Sequence, residues 1–165
     1  MLSKVARRHL AGLAAARAWL AALVALFVLS PLGAQAELRS VHVATANFRT
    51  GPSVSDPILY SADRHYPVEL LDQSGDWARV RDFEGEEAWV AAYLLGSDQT
   101  VVVAADVVNI REKPLKNAVI VHTAERGAVF LLAGRHGGWV SVADDEGVIG
   151  WVHESVLWGD LGSAP

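Results

Sequence analysis

Short apolar runs that favour β-strands alternate with turn-forming clusters of Gly, Pro, Asp and Ser along most of the chain. In the first half these runs cover residues 41–48, 67–71, 77–81 and 88–90. In the second half they cover residues 101–110, 129–132, 139–142 and 148–152. After residue 36 no 3.6-residue apolar period reaches helical length, although single 3₁₀ turns are expected at 91–94 and 153–156. The pattern predicts an all-β protein.

The second half of the chain repeats the first at a fixed offset of 62 positions. Comparison of residues 41–95 with 103–157 gives 17 identical pairs in 55 positions without a gap. The pairs include Asn47/Asn109, Pro52/Pro114, Trp77/Trp139, Gly85/Gly147 and Trp89/Trp151. Because about five short strands can bury their edges only in a closed or nearly closed barrel, each copy is predicted to be a small β-barrel. The short link at 96–100 predicts that the two barrels touch.

The first 36 residues have the organisation of a secretory signal peptide. Residues 1–17 carry four basic residues and no acidic one, residues 18–32 are almost wholly apolar, and Ala34-Gln35-Ala36 is a small-x-small cleavage signal. The apolar stretch of 15 residues is shorter than the roughly 20 that a membrane-spanning helix needs. We therefore expect cleavage after Ala36 and no stable membrane insertion of the mature chain.

Charge and cysteine content narrow the classes of partner. The whole chain has a net charge of −5, and removal of the leader's four bases leaves 10 Lys and Arg against 19 Asp and Glu, a net charge of −9. This field opposes nucleic acid and anionic membrane surfaces, so no nucleic-acid partner is predicted. There is no cysteine, which excludes disulfides and a lipid-modified N-terminal cysteine.

The order of the repeated motifs resembles that of the bacterial SH3 (SH3b) domain. The motifs in the first copy are Asn47-Phe48-Arg49, Gly51-Pro52-Ser53, Gly75-Asp76-Trp77 and Trp89-Val90, and the second copy repeats most of them. Three departures are Ala88 in place of Gly, His65 opposite Gly127, and Glu112-Lys113-Pro114 in place of Gly-Pro-Ser. The resemblance implies two tandem SH3-like barrels, at residues 39–97 and 101–160. It also implies a link to the cell wall, because SH3b domains are often the targeting part of wall hydrolases.

The two repeated tryptophans that open a strand are the first candidates for a binding site. Because alternate residues of a strand share a face, Trp77 lies with Arg79 and opposite Val80, and Trp139 lies opposite Val140. If the valines form the core, both tryptophans point away from it. Each then either contacts a ligand or closes over its own long loop, and the sequence leaves both interpretations open.

The first copy also resembles the peptide groove of eukaryotic SH3 domains, where a Trp and a Tyr frame a slot for a polyproline helix. Trp77 and Tyr93 match those two positions, with Tyr60 in the long loop region and Arg79 beside the slot. In the second copy Ser155 occupies the Tyr position. We therefore predict a ligand site in the first copy, formed by Trp77, Tyr93, Tyr60 and Arg79, with Trp139 as its counterpart in the second.

No pattern in the sequence predicts catalysis, a metal site or a cofactor. No nucleophile elbow, His-Glu-x-x-His run or phosphate loop is present. The histidines of the predicted mature chain have no tight metal-ligand spacing, and the acidic runs at 82–87 and 144–146 are typical of solvated turns.

The sequence thus predicts a non-enzymatic, exported tandem SH3b module that recognises a peptide-like ligand of the cell envelope, in the periplasm or outside the cell. The ligand is either the peptide of peptidoglycan or a segment of an envelope protein. The alternative is a scaffold or interaction subunit of an envelope complex, in which the acidic field selects basic partners. A hydrolase ranks third, and it would need a His, an acid and a Ser together in one cleft.

Overall fold

The computed structural model describes residues 37–161, which form two seven-stranded antiparallel sheets. The predicted leader at 1–36 lies outside the described residues. The only helical segments of residues 37–161 are two single 3₁₀ turns at Ala92–Leu94 and Glu154–Val156, and neither is long or apolar enough to cross a membrane.

The first sheet has the strand order β3-β2-β6-β5-β4-β1-β7. Its strands are β1 (Glu37–Val41), β2 (Thr45–Arg49), β3 (Ile58–Asp63), β4 (Pro67–Ser74), β5 (Trp77–Arg81), β6 (Glu87–Ala91) and β7 (Leu95–Gly96). The second sheet has the equivalent order β10-β9-β13-β12-β11-β8-β14. Its strands are β8 (Thr100–Val103), β9 (Val107–Arg111), β10 (Ile120–Glu125), β11 (Val129–His136), β12 (Trp139–Asp144), β13 (Gly147–His153) and β14 (Leu157–Gly159).

Each sheet curls around an apolar cluster of its own, built mainly from valine and alanine. Strand β5 shows how alternate residues form this cluster. Ala78 is 2% exposed and Val80 is fully buried, whereas Arg79 on the other face is exposed. In the second sheet Val140 and Val142 occupy the matching interior positions. The predicted all-β architecture of two tandem barrels is confirmed, and so is the strand register of the valines.

Two features of the strand pattern differ from the prediction. The single runs expected at 41–48 and 101–110 are each divided into two strands, because the chain bends within each run. In the first run the N–H of His42, at the bend, donates to the carbonyl of Leu94 at 3.0 Å. Strands β3 and β10 were not predicted. Each contains a bulge, beside Ile58 and Ile120 respectively, which interrupts the two-residue alternation on which a strand prediction depends.

The two barrels contact each other through polar groups, as the short link predicted. Nε of Arg126 lies 3.0 Å from a carboxylate oxygen of Glu84, and its guanidinium lies 5.4 Å from the centre of the Phe83 ring. Nε2 of His65 lies 3.1 Å from a carboxylate oxygen of Asp145. These contacts join the hairpin tip and a turn of the first barrel to the second.

An aromatic cluster fills one end of the first barrel. The rings of Phe48 and Tyr60 stack 4.7 Å apart, and Tyr66 packs edge-on against Phe48 at 6.3 Å. The Tyr66 hydroxyl donates to Asp82 at 3.3 Å, and the buried Tyr60 hydroxyl lies near the same carboxylate. Burial raises the pKa of both tyrosines well above the usual value, and the nearby Asp82 carboxylate raises each pKa further.

Two departures from the bacterial SH3 pattern are explained by backbone geometry. His65 has a φ of 72° and its repeat partner Gly127 has a φ of 87°, so both turns need the left-handed conformation that glycine adopts more easily. The second departure is Ala88, which the first barrel accommodates. At its repeat partner Gly150 in the second barrel, the surrounding atoms leave no room for a side chain. A Cβ built on Gly150 would lie 2.7 Å from the Arg111 carbonyl oxygen.

We therefore expect Gly150→Ala to destabilise the protein by about 1–3 kcal/mol, because the strand must move away from Arg111 to relieve the clash. The measurement is urea unfolding followed by tryptophan fluorescence. Gly134→Ala is the matched control, since a Cβ there would meet Ser141 Cβ at an ordinary 3.9 Å. Equal free energies of unfolding for the two variants would contradict the close approach of Gly150 to the Arg111 carbonyl.

The buried tyrosines predict a loss of stability at alkaline pH. Because their pKa values are raised in the folded state, their stabilising effect is complete below the unfolded-state pKa of about 10 and is lost as the pH rises above it. Unfolding in urea at pH 8 and pH 11 should show a smaller pH-dependent loss for the double variant Tyr60→Phe and Tyr66→Phe than for wild type. Tyr93→Phe, at an exposed residue, should behave as wild type.

Candidate functional site

The second barrel carries an open groove of about 730 Å³ between Trp139 and the long loop at 112–119. Apolar side chains of the groove come from Val107, Pro114, Leu115, Trp139 and Val156, and polar ones from Asn109, Arg111, Lys116, His153 and Ser155. Two of the apolar side chains are strongly exposed, Val107 at 62% and Leu115 at 56%. The groove thus combines an aromatic wall, an aliphatic wall and hydrogen-bonding groups, which is the usual composition of a ligand site.

The start of β12 fixes the position of Trp139. Gly137 and Gly138, with φ of 54° and 81°, make the tight turn before it, and β12 then directs Val140 into the core. Trp139 is therefore half-buried at the barrel surface, opposite His153 on β13. The two rings meet edge-on with their centres 5.3 Å apart, so His153 supports the indole from one side.

The long loop is held in place by the repeated arginine. Nη1 of Arg111 donates to the carbonyl of Ala118 at 2.7 Å, and Nη1 of Arg49 donates to the carbonyl of Asp56 at the same distance in the first barrel. Within the second loop the N–H of Ala118 donates to the carbonyl of Leu115 at 3.0 Å. These bonds explain the repeated arginine and hold the loop that carries Leu115, which lines the groove together with Trp139.

A histidine and a serine meet at the end of the groove. Nδ1 of His153 accepts the backbone N–H of Ser155 at 3.3 Å and lies 2.8 Å from the Ser155 hydroxyl. Both contacts cap the 3₁₀ turn at Glu154–Val156. The carboxylate of Glu154 is bound by Arg135 at 2.6 Å. The three residue types of a hydrolase site are therefore neighbours, but His153 and Glu154 serve the turn and an ion pair.

The remaining predicted site residues lie in the first barrel. Trp77 is half-buried at the start of β5, and Tyr93 is 73% exposed on its 3₁₀ turn. Arg79 forms an ion pair with Glu87 at 2.5 Å on the outer sheet face. Tyr60 stacks on Phe48 and lines a separate cavity of about 380 Å³ together with Gly127 of the second barrel. Of the five predicted residues, Trp139 lines the groove described above.

The groove described above is in the second copy, and the ligand site that the sequence favoured in the first copy stays a prediction. Side chains that differ between the copies form much of its walls: Leu115 and Lys116 replace Ser53 and Val54, and His153 replaces Ala91. Ser53 is bound within its own loop, where its hydroxyl accepts the Ser55 N–H at 3.1 Å. The resemblance to the eukaryotic groove gave weight to Tyr93 and overlooked these substitutions.

The acidic hairpin tips have structural uses. Asp82 is buried, and one of its carboxylate oxygens accepts the N–H groups of Glu84 and Glu86, each at 2.9 Å. Its repeat partner Asp144 accepts the N–H groups of Glu146 and Gly147 at 2.9 and 3.0 Å. Within residues 37–161 no three His, Asp or Glu side chains are grouped so that they could hold a metal ion.

Comparison with known proteins identifies both halves of the chain. Residues 44–96 and residues 104–159 each match a family described as "Bacterial SH3 domain". A solved NlpC/P60 family protein from Bacillus cereus ATCC 10987 is 13% identical with a TM-score of 0.36, and the alignment covers 78% of this chain and 60% of that one.

Two curated relatives are bacterial amidases by name. "Putative N-acetylmuramoyl-L-alanine amidase YrvJ" of Bacillus subtilis (strain 168) is 25% identical over 130 residues, which cover 72% of this chain and 25% of that protein. "Probable cell wall amidase LytH" of Staphylococcus epidermidis is 31% identical over 77 residues, 46% of this chain and 25% of that protein. The chain spans about a quarter of the length of these relatives.

The matched ranges are successive, and each corresponds to one of the two seven-stranded sheets. The chain therefore belongs to the bacterial SH3 domain family and carries two such domains in tandem.

Proposed function

We propose that the protein is a non-enzymatic, exported binding module that recognises the peptide of the cell wall through the groove of its second barrel. The observation that carries this proposal is the open groove lined by the half-buried Trp139 ring and by the exposed Leu115 side chain of the long loop. In this proposal the leader at 1–36 directs export, and the domains at 39–97 and 101–160 form the mature protein in the periplasm or outside the cell.

The size and the polar groups of the groove favour a short peptide. A volume of about 730 Å³ falls within the range of small-ligand sites. The Asn109 amide and the Ser155 hydroxyl lie along it and offer both donors and acceptors to the amides of an extended peptide. The Trp139 ring and Leu115 supply apolar contact on opposite sides, which suits side chains that alternate along such a peptide.

The relatives supply the support for the cell wall as the target. Both curated relatives are named as amidases, one of them as a cell wall amidase, and the matched part is about a quarter of each. We propose that this part binds the wall and that the present protein uses it for the same purpose. The predicted leader is consistent with that location.

The geometry at the end of the groove favours binding over hydrolysis. A serine nucleophile needs a base that takes its proton and a third group that orients the base. Here Nδ1 of His153 lies 2.8 Å from the Ser155 hydroxyl but also accepts the backbone N–H of that residue, and Glu154, the neighbouring acid, is bound to Arg135 and does not orient the imidazole. The protein should therefore release no soluble fragments from peptidoglycan.

The repeat provides a matched pair of variants to test the site. Trp139→Ala should reduce retention of the purified protein on peptidoglycan by roughly tenfold or more, because it removes the aromatic wall of the groove. Trp77→Ala, at the same position of the first barrel, should have a smaller effect. The measurement is a pelleting assay over a range of peptidoglycan concentrations, with circular dichroism to confirm that both variants fold.

Two results would contradict the proposal. Wild-type protein that stays in the supernatant would remove the cell wall as the target and favour the scaffold function. Retention that is unchanged in Trp139→Ala but abolished in Trp77→Ala would move the site to the first barrel, as the sequence had indicated.

A further inference from the structure

We infer that the groove of the second barrel selects a short extended peptide that carries a carboxylate, and that Lys116 is the residue that recognises it. This inference rests on the proposed function and deepens it, because it names the chemistry of the ligand at the same groove. It also gives the two barrels different roles.

The charge of the groove is opposite to that of the protein. The charged side chains that line it are Arg111 and Lys116, and no Asp or Glu belongs to the lining, although the whole chain has a net charge of −5. Arg111 is half-buried and holds the loop through Ala118. Lys116 is exposed and forms no ion pair within residues 37–161, so its ammonium group is available to a ligand.

Three acidic residues are next to lining residues in the sequence and must be weighed against Lys116. Glu154 is engaged by Arg135 at 2.6 Å, which neutralises the acid that belongs to the same turn as Ser155. Asp106 and Glu112 are exposed and do not line the groove, so solvent screens their charges. The local field at the groove is therefore set by Lys116 and Arg111.

The first barrel shows that this charge is specific to the second. The second loop, at 112–119, carries Glu112, Lys113 and Lys116 and has a net charge of +1, whereas the equivalent loop at 50–57 carries only Asp56 and has a net charge of −1. The Asp56 carboxylate lies against Gly51, where an added Cβ would come within 2.5 Å of it. The same backbone therefore carries loops of opposite charge, which would give the two barrels different ligand preferences.

The groove accommodates the rest of such a ligand without a charged partner. The Trp139 face and the Leu115 side chain leave an apolar slot for an aliphatic side chain, while Asn109 and Ser155 can bond the peptide backbone. A carboxylate one residue away from the apolar side chain would point out of the slot, toward Lys116 at its rim. This selection of acidic peptides is the reverse of the basic partners that the overall charge had suggested.

The test compares two end-blocked pentapeptides, Ala-Glu-Leu-Glu-Ala and its neutral isostere Ala-Gln-Leu-Gln-Ala, in titrations of the purified protein followed by tryptophan fluorescence. We expect the acidic peptide to bind about three- to fivefold more tightly at low salt, as an exposed ion pair allows, and the preference to fade near 1 M salt. Lys116→Gln should abolish the preference and Lys116→Glu should reverse it. Lys113→Gln, in the same loop but outside the lining, is the matched control and should retain it.

Equal affinity for the two peptides, no binding of either, or a preference that survives Lys116→Gln would overturn the inference. Polyphosphate that competes as strongly as the acidic peptide at equal charge would also overturn it, since that result indicates non-specific attraction of anions. Trp139-dependent retention on peptidoglycan without a preference for the acidic peptide would refute only the inference. If the protein prefers the acidic peptide but its retention on peptidoglycan does not depend on Trp139, only the proposed function is refuted.

Discussion

The narrow interior of each barrel is the constraint on which the rest of the structure depends. A sheet of about 60 residues encloses so little volume that valine and alanine fill most of it, as Val80 and Val90 do in the first barrel and Val140 and Val142 in the second. Because β12 directs Val140 and Val142 into this interior, Trp139 lies on the opposite face of its strand, half-buried at the barrel surface. The same close packing that stabilises the barrel therefore provides an aromatic surface for a ligand.

The loops use this frame differently in the two copies. The bond from Arg49 or Arg111 to a loop carbonyl is present in both barrels at 2.7 Å, so the loops leave their strands in the same way. The side chains beyond that bond have diverged: Leu115 and Lys116 border an open groove, whereas Ser53 is hydrogen-bonded within its own loop. Duplication has thus kept the supporting interaction and changed the surface that it supports.

Local charge and overall charge lead to different expectations for the partner. The net charge of −5 opposes polyanions at a distance, but screening limits this effect to about one Debye length. Within the groove, Lys116 and Arg111 are the charged groups that a bound peptide would meet. Affinity for an acidic peptide at the groove is therefore compatible with the negative net charge of the chain. The barrel-to-barrel contacts through Arg126 and His65 lie on residues that do not line this groove.

The sequence alone determined the duplicated all-β architecture, the valine core positions and the outward placement of the tryptophans, because these follow from two-residue alternation and from a repeat that reads directly off the chain. It did not reveal β3 and β10, since a bulge in each interrupts the alternation. It placed Trp139 among the site residues and favoured the first barrel for the ligand site, whereas the groove described above lies in the second barrel. The position of this groove was decided only in three dimensions, because it depends on how Leu115 of the long loop comes together with Trp139 and His153, which pair across the β12–β13 hairpin.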